Sequence, residues 1–284
     1  MRRDVGVAVV TLALVACSPL ADVVAYANGT GESPSDPPPQ SPTGTPSPDP
    51  SPTVPGPGLL ACQTSTARLA IRTLDGGIAM VSDRGTPARP IALLPECTFP
   101  GGGPIAPNAS GTIWATYGGK VYDIDPSGTC KALPLALDAT AMAFVVDPRS
   151  GVELFYAIVS GVLVVIDPAS MARTPIGKVA VPEPMGGLVG TIDGRLFAVT
   201  GRPKPVLYEL HLGDATSGGG SSIGLTQPVD EAVLGMGALP AGPAIVTESA
   251  VLWADPKLSS TDRVPHGQRS VVAAGASPCA SLAL

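Results

Sequence analysis

The chain has few charged residues and no excess of positive charge. Only 14% of its 284 residues are Asp, Glu, Lys or Arg, and the net charge is −6. A nucleic-acid-binding surface needs clustered Lys and Arg to displace counterions from phosphates, so this composition argues against a nucleic-acid partner. Phe, Trp and Tyr make up only 4% of the chain. This leaves few ring faces on which bases or sugars could stack.

Residues and motifs typical of catalytic or cofactor sites are also scarce. There are two histidines, His211 and His266, and no Cys or His cluster has the spacing of a zinc site. The chain contains no G-x-S-x-G elbow, P-loop or dinucleotide-binding fingerprint. The three glycines at 218–220 lie in a Ser-rich stretch and are interpreted as a loop. We therefore predict no catalytic residue, no metal and no cofactor.

The apolar run near the N-terminus is too short to cross a membrane. It covers residues 5–16, about half of the roughly 20 residues that a transmembrane helix needs. It follows Arg2 and Arg3, and a positive end before a short apolar run is typical of a secretory signal peptide. The sequence therefore predicts export, with residues 1–16 as the signal peptide.

The apolar run ends in the sequence LVAC at residues 14–17, which resembles the lipobox of bacterial lipoprotein precursors. The resemblance implies cleavage before Cys17 and acylation of that cysteine. Two acyl chains would then anchor the protein to the cell membrane or the outer membrane. The alternative is secretion after an ordinary cleavage following Ala27, because residues 25–27 match the A-x-A pattern.

Residues 17–58 are rich in proline, serine and threonine. From about residue 29 onward the segment has too little apolar surface to offset the entropy of ordering it. Its prolines favour extended polyproline II, and about 30 residues at 3.1 Å each would reach roughly 90 Å. We predict a tether that holds one domain, residues 59–284, away from the membrane.

A pattern of short apolar strands and polar turns repeats five times after residue 60. In each unit a strand ends in a polar residue and a turn. These polar residues, at 83, 125, 167, 211 and 255, are 42, 42, 44 and 44 positions apart. A second strand precedes each of them, at residues 67–73, 112–117, 154–159, 196–200 and 244–247. A further apolar strand comes earlier, at residues 140–146, 187–192 and 232–237, and a fourth strand follows the turn, as at residues 174–181.

Four strands every 40 to 45 residues resemble a blade of a β-propeller. The first unit lacks its innermost strand, whereas residues 270–275 look like an innermost strand without a blade. The resemblance implies an all-β fold of five four-stranded blades, closed into a ring by the C-terminal strand. The Gly-His and Trp-Asp pairs of the WD40 family are absent, so the resemblance is to the general blade and not to a named subfamily. A six-bladed ring or an irregular sandwich is the alternative if a weak repeat has been miscounted.

Four cysteines remain besides Cys17, and an even number in an exported protein indicates disulfides. The propeller resemblance places Cys62 and Cys279 beside neighbouring strands of the first blade. It therefore implies a Cys62–Cys279 bond, which leaves Cys97 to pair with Cys130. Free buried thiols are the alternative.

The residues just before the innermost strands of a propeller converge at one mouth of its central channel. Here these residues are Asp138, Glu183, Asp230, Glu231, His266 and Arg269. Such a ring of acids could bind a cation or an amine-bearing ligand, because carboxylate oxygens suit calcium. Solvated loop acids are the alternative. The innermost strands at 141–144, 187–190 and 233–236 carry no acids, which disfavours a propeller glycosidase.

These patterns favour a non-enzymatic lipoprotein of the cell envelope whose propeller binds a partner protein or a surface ligand. One alternative is an exported hydrolase or lyase with a site at the channel mouth. Another is a purely structural envelope protein. A propeller fold does not choose between them, because the fold hosts many functions.

Overall fold

The computed structural model describes residues 56–64, 67–82, 84–182, 185–200, 205–212, 222–224, 229–255, 257–259 and 261–282. Cys17, the predicted signal peptide, Glu183 and the predicted tether up to residue 55 lie outside the described residues. All described residues belong to one compact unit, residues 52–284. No helix within this described part is both long and apolar enough to cross a membrane.

The described part of the chain begins with a short helix and then forms twenty strands. The helix is α1 (Pro57–Thr64), and the first strands are β1 (Leu69–Thr73), β2 (Ile78–Val81) and β3 (Arg89–Pro90). After a 3₁₀ turn at Pro95–Cys97 come β4 (Ile105–Pro107), β5 (Ile113–Tyr117), β6 (Lys120–Ile124) and β7 (Cys130–Ala136). The third group is β8 (Ala139–Val146), β9 (Glu153–Val159), β10 (Val162–Ile166) and β11 (Arg173–Lys178). The fourth is β12 (Met185–Gly190), β13 (Leu196–Thr200), β14 (Val206–Leu210) and β15 (Ser222–Gly224). The chain ends with β16 (Val233–Leu239), β17 (Gly242–Thr247), β18 (Ala250–Ala254), β19 (Thr261–Pro265) and β20 (Val271–Ala276).

The described strands form five antiparallel sheets of four. Strands β4–β7, β8–β11, β12–β15 and β16–β19 each make one sheet in chain order, and β20 joins β1, β2 and β3 in the remaining one. In that closing pair Leu69 lies opposite Ala276 and Ile71 opposite Ala274. The inner strands β20, β4, β8, β12 and β16 contact one another in a ring. The fold is a five-bladed β-propeller closed by its C-terminal strand, as predicted from the repeat.

Buried clusters fill the spaces between neighbouring blades. One cluster joins Trp253 of β18 to Leu69 of β1, and another joins Phe155 of β9 to Trp114 of β5. The strands in the middle of the blades are therefore buried on both faces, and β1, β13 and β18 are buried along their whole length. This explains their continuous apolar sequence, because strict alternation is expected only where one face meets water.

The inner strands are made of small residues because the ring is narrow. A Cβ atom on Gly235 of β16 would lie 2.3 Å from the carbonyl oxygen of Ala274 in the neighbouring β20. Only glycine permits this approach between two backbones. Three of the eight residues of β8 are alanine, and three of the six residues of β12 are glycine.

The polar residue that ends each repeat strand caps a turn wherever it is an aspartate in the described chain. The Asp125 carboxylate accepts the Ser127 N–H at 2.8 Å, and the Asp167 carboxylate accepts the Ala169 N–H at 2.9 Å. The Asp255 carboxylate bonds in the same way to the turn that follows β18. These side chains supply the local hydrogen bonds that make Asp a turn residue.

Both predicted disulfides are present. Cys62 pairs with Cys279 at a Cα–Cα distance of 4.9 Å, and Cys97 pairs with Cys130 at 5.6 Å. The first bond joins α1 to the segment that follows β20. Helix α1 was not predicted from the sequence.

Candidate functional site at the channel mouth

We call the end of the ring at which the inner strands begin the mouth, and the opposite end the base. At the mouth, β8, β12, β16 and β20 each start with a break in register against the neighbouring strand of their own blade. Thr140, Gly186, Leu234 and Val272 are the residues left without a partner. A β-bulge bends a strand and redirects its side chains, and bulges are frequent beside binding sites. Four blades therefore carry a β-bulge at the same position of the inner strand.

The four bulged residues line a central cavity of about 330 Å³. Its other lining residues include Met142, Met185 and Leu188 from β8 and β12. No Asp, Glu, Lys, Arg or His is among the described residues that line it. The polar groups that face the cavity come from the backbone and from Thr140, whose hydroxyl also donates to the Ile158 carbonyl oxygen at 3.3 Å. The side chains that face the cavity are thus uncharged and mostly apolar.

Strand β4 pairs with β5 without a break in register, and its blade is held at the mouth by Arg72 instead. Arg72 lies on β1 and is only 1% exposed. Its guanidinium donates to the carbonyl oxygens of Gly103, Thr116 and Phe99, at 3.0, 2.9 and 2.9 Å. Gly103 lines the cavity and has a φ of 153°, so it sits in a conformation that favours glycine.

Arg72 has no carboxylate partner among the described residues, and burial lowers the pKa of its guanidinium. A buried cation is costly unless every donor finds an acceptor. The three carbonyl oxygens supply that compensation. Sequence reasoning missed this residue, although a charge inside the apolar strand LAIRT was the available signal.

The base is closed by the segment that follows β20. We call the sheet of β20, β1, β2 and β3 blade 1. Ser277 bonds in both directions to Arg68, which directly precedes β1, at 2.9 and 3.0 Å. Three residues on, the Ala280 carbonyl accepts the Ile192 N–H at 3.3 Å, and the Leu282 carbonyl accepts Arg195 Nη1 at 3.1 Å. Ile192 and Arg195 follow β12, in a blade that is not adjacent to blade 1. The C-terminal segment therefore crosses the base, and Leu282 is buried between β12–β15 and β16–β19.

The residues that were predicted to bind a ligand differ in exposure and in hydrogen bonding. Asp138, Asp230 and Arg269 are exposed in the segments that lead into β8, β16 and β20 at the mouth. Glu183 lies outside the described residues. Within the described chain, no three His, Cys, Asp or Glu residues lie close enough to hold a metal ion.

Glu231 differs because it is already engaged within its own blade. Its carboxylate accepts the Ser249 N–H at 3.0 Å and forms an ion pair with Arg263. Burial disfavours ionisation of this carboxyl. Hydrogen bonds from Thr247, Arg263 and Ser249 outweigh that effect, so the pKa of Glu231 is about 2. The charge of the Glu231 carboxylate is thus partly compensated by Arg263 and Ser249 of the same blade.

His266 is buried behind this network, with 2% of its surface exposed. Its Nδ1 accepts the Gln268 N–H at 3.1 Å, so Nε2 carries the proton and donates to the Thr247 carbonyl oxygen at 3.2 Å. Burial lowers the pKa of His266 and favours this neutral form. Both ring nitrogens are used, which makes His266 a support of the loop before β20.

Comparison with known proteins supports the fold. The chain is similar to a chain of a nidogen/laminin complex, with a TM-score of 0.51 at 12% identity, over 76% of this chain and all of the other. A TM-score of 0.51 also relates it, at 14% identity and over 73% of this chain and 97% of the other, to a structure from a study of the de novo evolutionary emergence of a symmetrical protein. No family model and no curated sequence matches. At these identities the similarity shows a β-propeller and nothing finer.

Proposed function

We propose that this protein is an exported, lipid-anchored envelope protein whose propeller is a binding module, with the ligand entering the mouth cavity. The observation that carries the proposal is the repeated bulge, which opens a cavity at one end of a ring whose other end is closed. A volume of about 330 Å³ lies at the lower end of the range for small-molecule sites. The anchor rests on the LVAC sequence at residues 14–17.

The lining indicates the class of ligand. The bulges present Leu234, Val272 and the Thr140 side chain, and two methionines lie beside them. Methionine adapts its shape to irregular apolar groups. The module would therefore bind an apolar group, either from a small ligand or from a side chain of a partner protein. Asp138 and Asp230 at the rim would favour a ligand that also carries positive charge.

A thermal-shift screen of the full exported chain tests the site. A ligand at 100 times its dissociation constant adds about 2.7 kcal/mol to the free energy of unfolding. The variant Thr140→Phe fills the cavity, and Thr174→Phe makes the same change at an exposed position on the outer strand β11. We expect a shift that is lost in Thr140→Phe and kept in Thr174→Phe. A shift that survives Thr140→Phe would exclude the mouth cavity as the site.

Mass spectrometry of the mature protein tests the anchor. A diacylated N-terminal Cys17 is the expected result. An unmodified N-terminus beginning at residue 28 would instead show secretion after Ala27, and the membrane attachment would be withdrawn.

A further inference from the structure

A second cavity lies at the base, beneath α1, between the blades that contain β5 and β9. Its volume is about 300 Å³. We call it the base pocket and define it by six of its lining residues: Gly58, Ala61, Trp114, Phe144, Glu153 and Asp167. It shares no lining residue with the mouth cavity.

The roof of the base pocket is fixed at both ends. At its N-terminal end, α1 donates the Gly58 and Leu59 N–H groups to the Gly151 carbonyl oxygen, at 2.8 and 3.1 Å. Near its C-terminal end, Cys62 is tied to Cys279. The helix therefore holds its place over the pocket as part of the rigid fold.

The wall of the base pocket is aromatic. The Trp114 and Phe144 rings meet edge to face at a centroid distance of 5.0 Å, and Phe155 packs against both at 4.7 and 4.9 Å. This packing fixes the ring planes. Trp is the aromatic residue that attracts a cation most strongly to its face.

Glu153 supplies a carboxylate beside this wall. Its Oε1 accepts the Ala109 N–H at 2.7 Å, and no group among the described residues donates to Oε2. Burial raises the pKa of Glu153 to about 7. A carboxyl group in such a setting lacks a cationic partner, and strongly perturbed groups of this kind are enriched at functional sites.

The other charged groups around the base pocket are three acids and two arginines: Asp123, whose carboxylate bonds to Thr112 and Trp114, Arg68, whose guanidinium lies beside Gly111, and Asp147, Arg149 and Asp167 in two turns. Asp167 lies at the rim, in the turn after β10, and Asp147 and Arg149 lie in the turn between β8 and β9. Hydrogen bonds within these turns lower the pKa of both aspartates, so they stay ionised at pH 5. Neither α1 nor the turn at residues 108–112 carries a charge.

We infer that the base pocket binds a small organic cation, whose ammonium group lies between the Glu153 carboxylate and the Trp114 ring. The ammonium would donate to Oε2, the Glu153 oxygen to which no described group donates. Its alkyl part would pack against the apolar side of α1. Asp167 at the rim would add long-range attraction.

Isothermal titration calorimetry on the full exported chain tests this inference. The probes are butylammonium and tetramethylammonium chloride at pH 8, and 1-butanol and neopentyl alcohol are neutral probes of similar size. We expect the ammonium probes to bind and the alcohols to bind at least 10-fold more weakly. Glu153→Gln keeps the acceptor for Ala109 and should weaken ammonium binding roughly 10-fold or more. Wild type at pH 5 should show a similar loss, because the Glu153 carboxyl is protonated there.

Two controls separate the base pocket from other sites. Asp125→Asn alters a turn aspartate of the same kind that does not line the pocket, and it should leave binding unchanged. Thr140→Phe at the mouth should also bind the ammonium probes as wild type does. The inference is overturned if neither ammonium probe binds, if the alcohols bind equally well, or if neither Glu153→Gln nor pH 5 weakens binding. Loss of binding in Thr140→Phe alone would assign the cation to the mouth instead.

Discussion

The two ends of the ring are built differently, although the same five strands run between them. At the mouth, four inner strands start with bulges and leave a cavity rimmed by exposed charged residues. At the base, the segment after β20 crosses the ring and is tied to α1 by a disulfide. The irregular strand pairing is therefore found at the mouth, and the added chain segment is found at the base. A group bound at the mouth could compensate for the strand contacts that the bulges remove.

The same comparison predicts where stability resides. The C-terminal segment crosses the base and links blade 1 to a blade that is not its neighbour. Opening the ring at the base would therefore break contacts to both blades at once. At the mouth, by contrast, Glu231 and His266 bond within their own blade. Substitutions at the base should therefore lower the free energy of unfolding more than substitutions at the mouth.

Removing the base disulfide should have the largest effect. The Cys62–Cys279 bond closes a loop of 217 residues, and Cys97–Cys130 closes one of 33. In the chain-entropy account these are worth about 5 and 4 kcal/mol, respectively. The double variant Cys62→Ser/Cys279→Ser should thus unfold at lower urea than Cys97→Ser/Cys130→Ser. Equal midpoints would mean that the base is held by its hydrogen bonds and packing alone.

Arg72 is the exception that should matter at the mouth. Arg72→Leu removes the guanidinium donor from three carbonyl oxygens, and the bonds to Thr116 and Phe99 are buried. This loss should cost about 3 kcal/mol. Arg269→Leu changes an exposed arginine at the same end and should stay within about 0.5 kcal/mol. Urea unfolding of both variants measures the difference. If Arg72→Leu matches wild type, water must reach those carbonyls.

Replacing Glu153 at the base should raise the free energy of unfolding, whereas the substitutions above lower it. Its folded pKa is raised above its ordinary value of 4.5, to about 7, so the native state binds the proton more tightly and loses stability as pH rises through this window. Glu153→Gln should match wild type near pH 4 and be more stable by about 2 kcal/mol at pH 8, after allowance for partial exposure. Urea unfolding at both values tests this. A variant that is less stable at pH 8 would contradict a desolvated carboxylate.

Much of the ring could be predicted because its signals are local. The apolar strands and polar turns at a spacing of 42 to 44 residues predicted the blades. The missing first strand and the surplus last one predicted closure by β20, and the disulfide pairs followed from that closure. Each step used residues near one another in sequence or in one blade.

The features that define the two cavities depend on contacts between distant residues. A bulge at Thr140 or Leu234 leaves no mark in an apolar run, because it reflects the narrowness of the ring. The acceptors of Arg72 come from another blade. For α1 a local signal existed, since Pro57 is at the first helical position and Leu59, Leu60 and Ala61 are good helix formers. It was obscured by the proline-rich segment before it.

The smallest expected effect concerns the acids at the mouth, which should differ in how much they contribute to the free energy of unfolding. Glu231 has a pKa of about 2 because of its bonds to Thr247, Arg263 and Ser249. A depressed pKa stabilises the fold above the ordinary value of 4.5, and this contribution is lost as pH falls toward 2. Glu231→Gln should therefore cost about 1 kcal/mol at pH 7, discounted for solvent screening, and nothing near pH 2. Asp138→Asn and Asp230→Asn should change the free energy of unfolding by less than about 0.5 kcal/mol.

Thermal unfolding of the three variants at both pH values measures the difference. A larger loss in Asp138→Asn than in Glu231→Gln would show that the rim acids stabilise the fold, and it would weaken their proposed role in attracting a ligand.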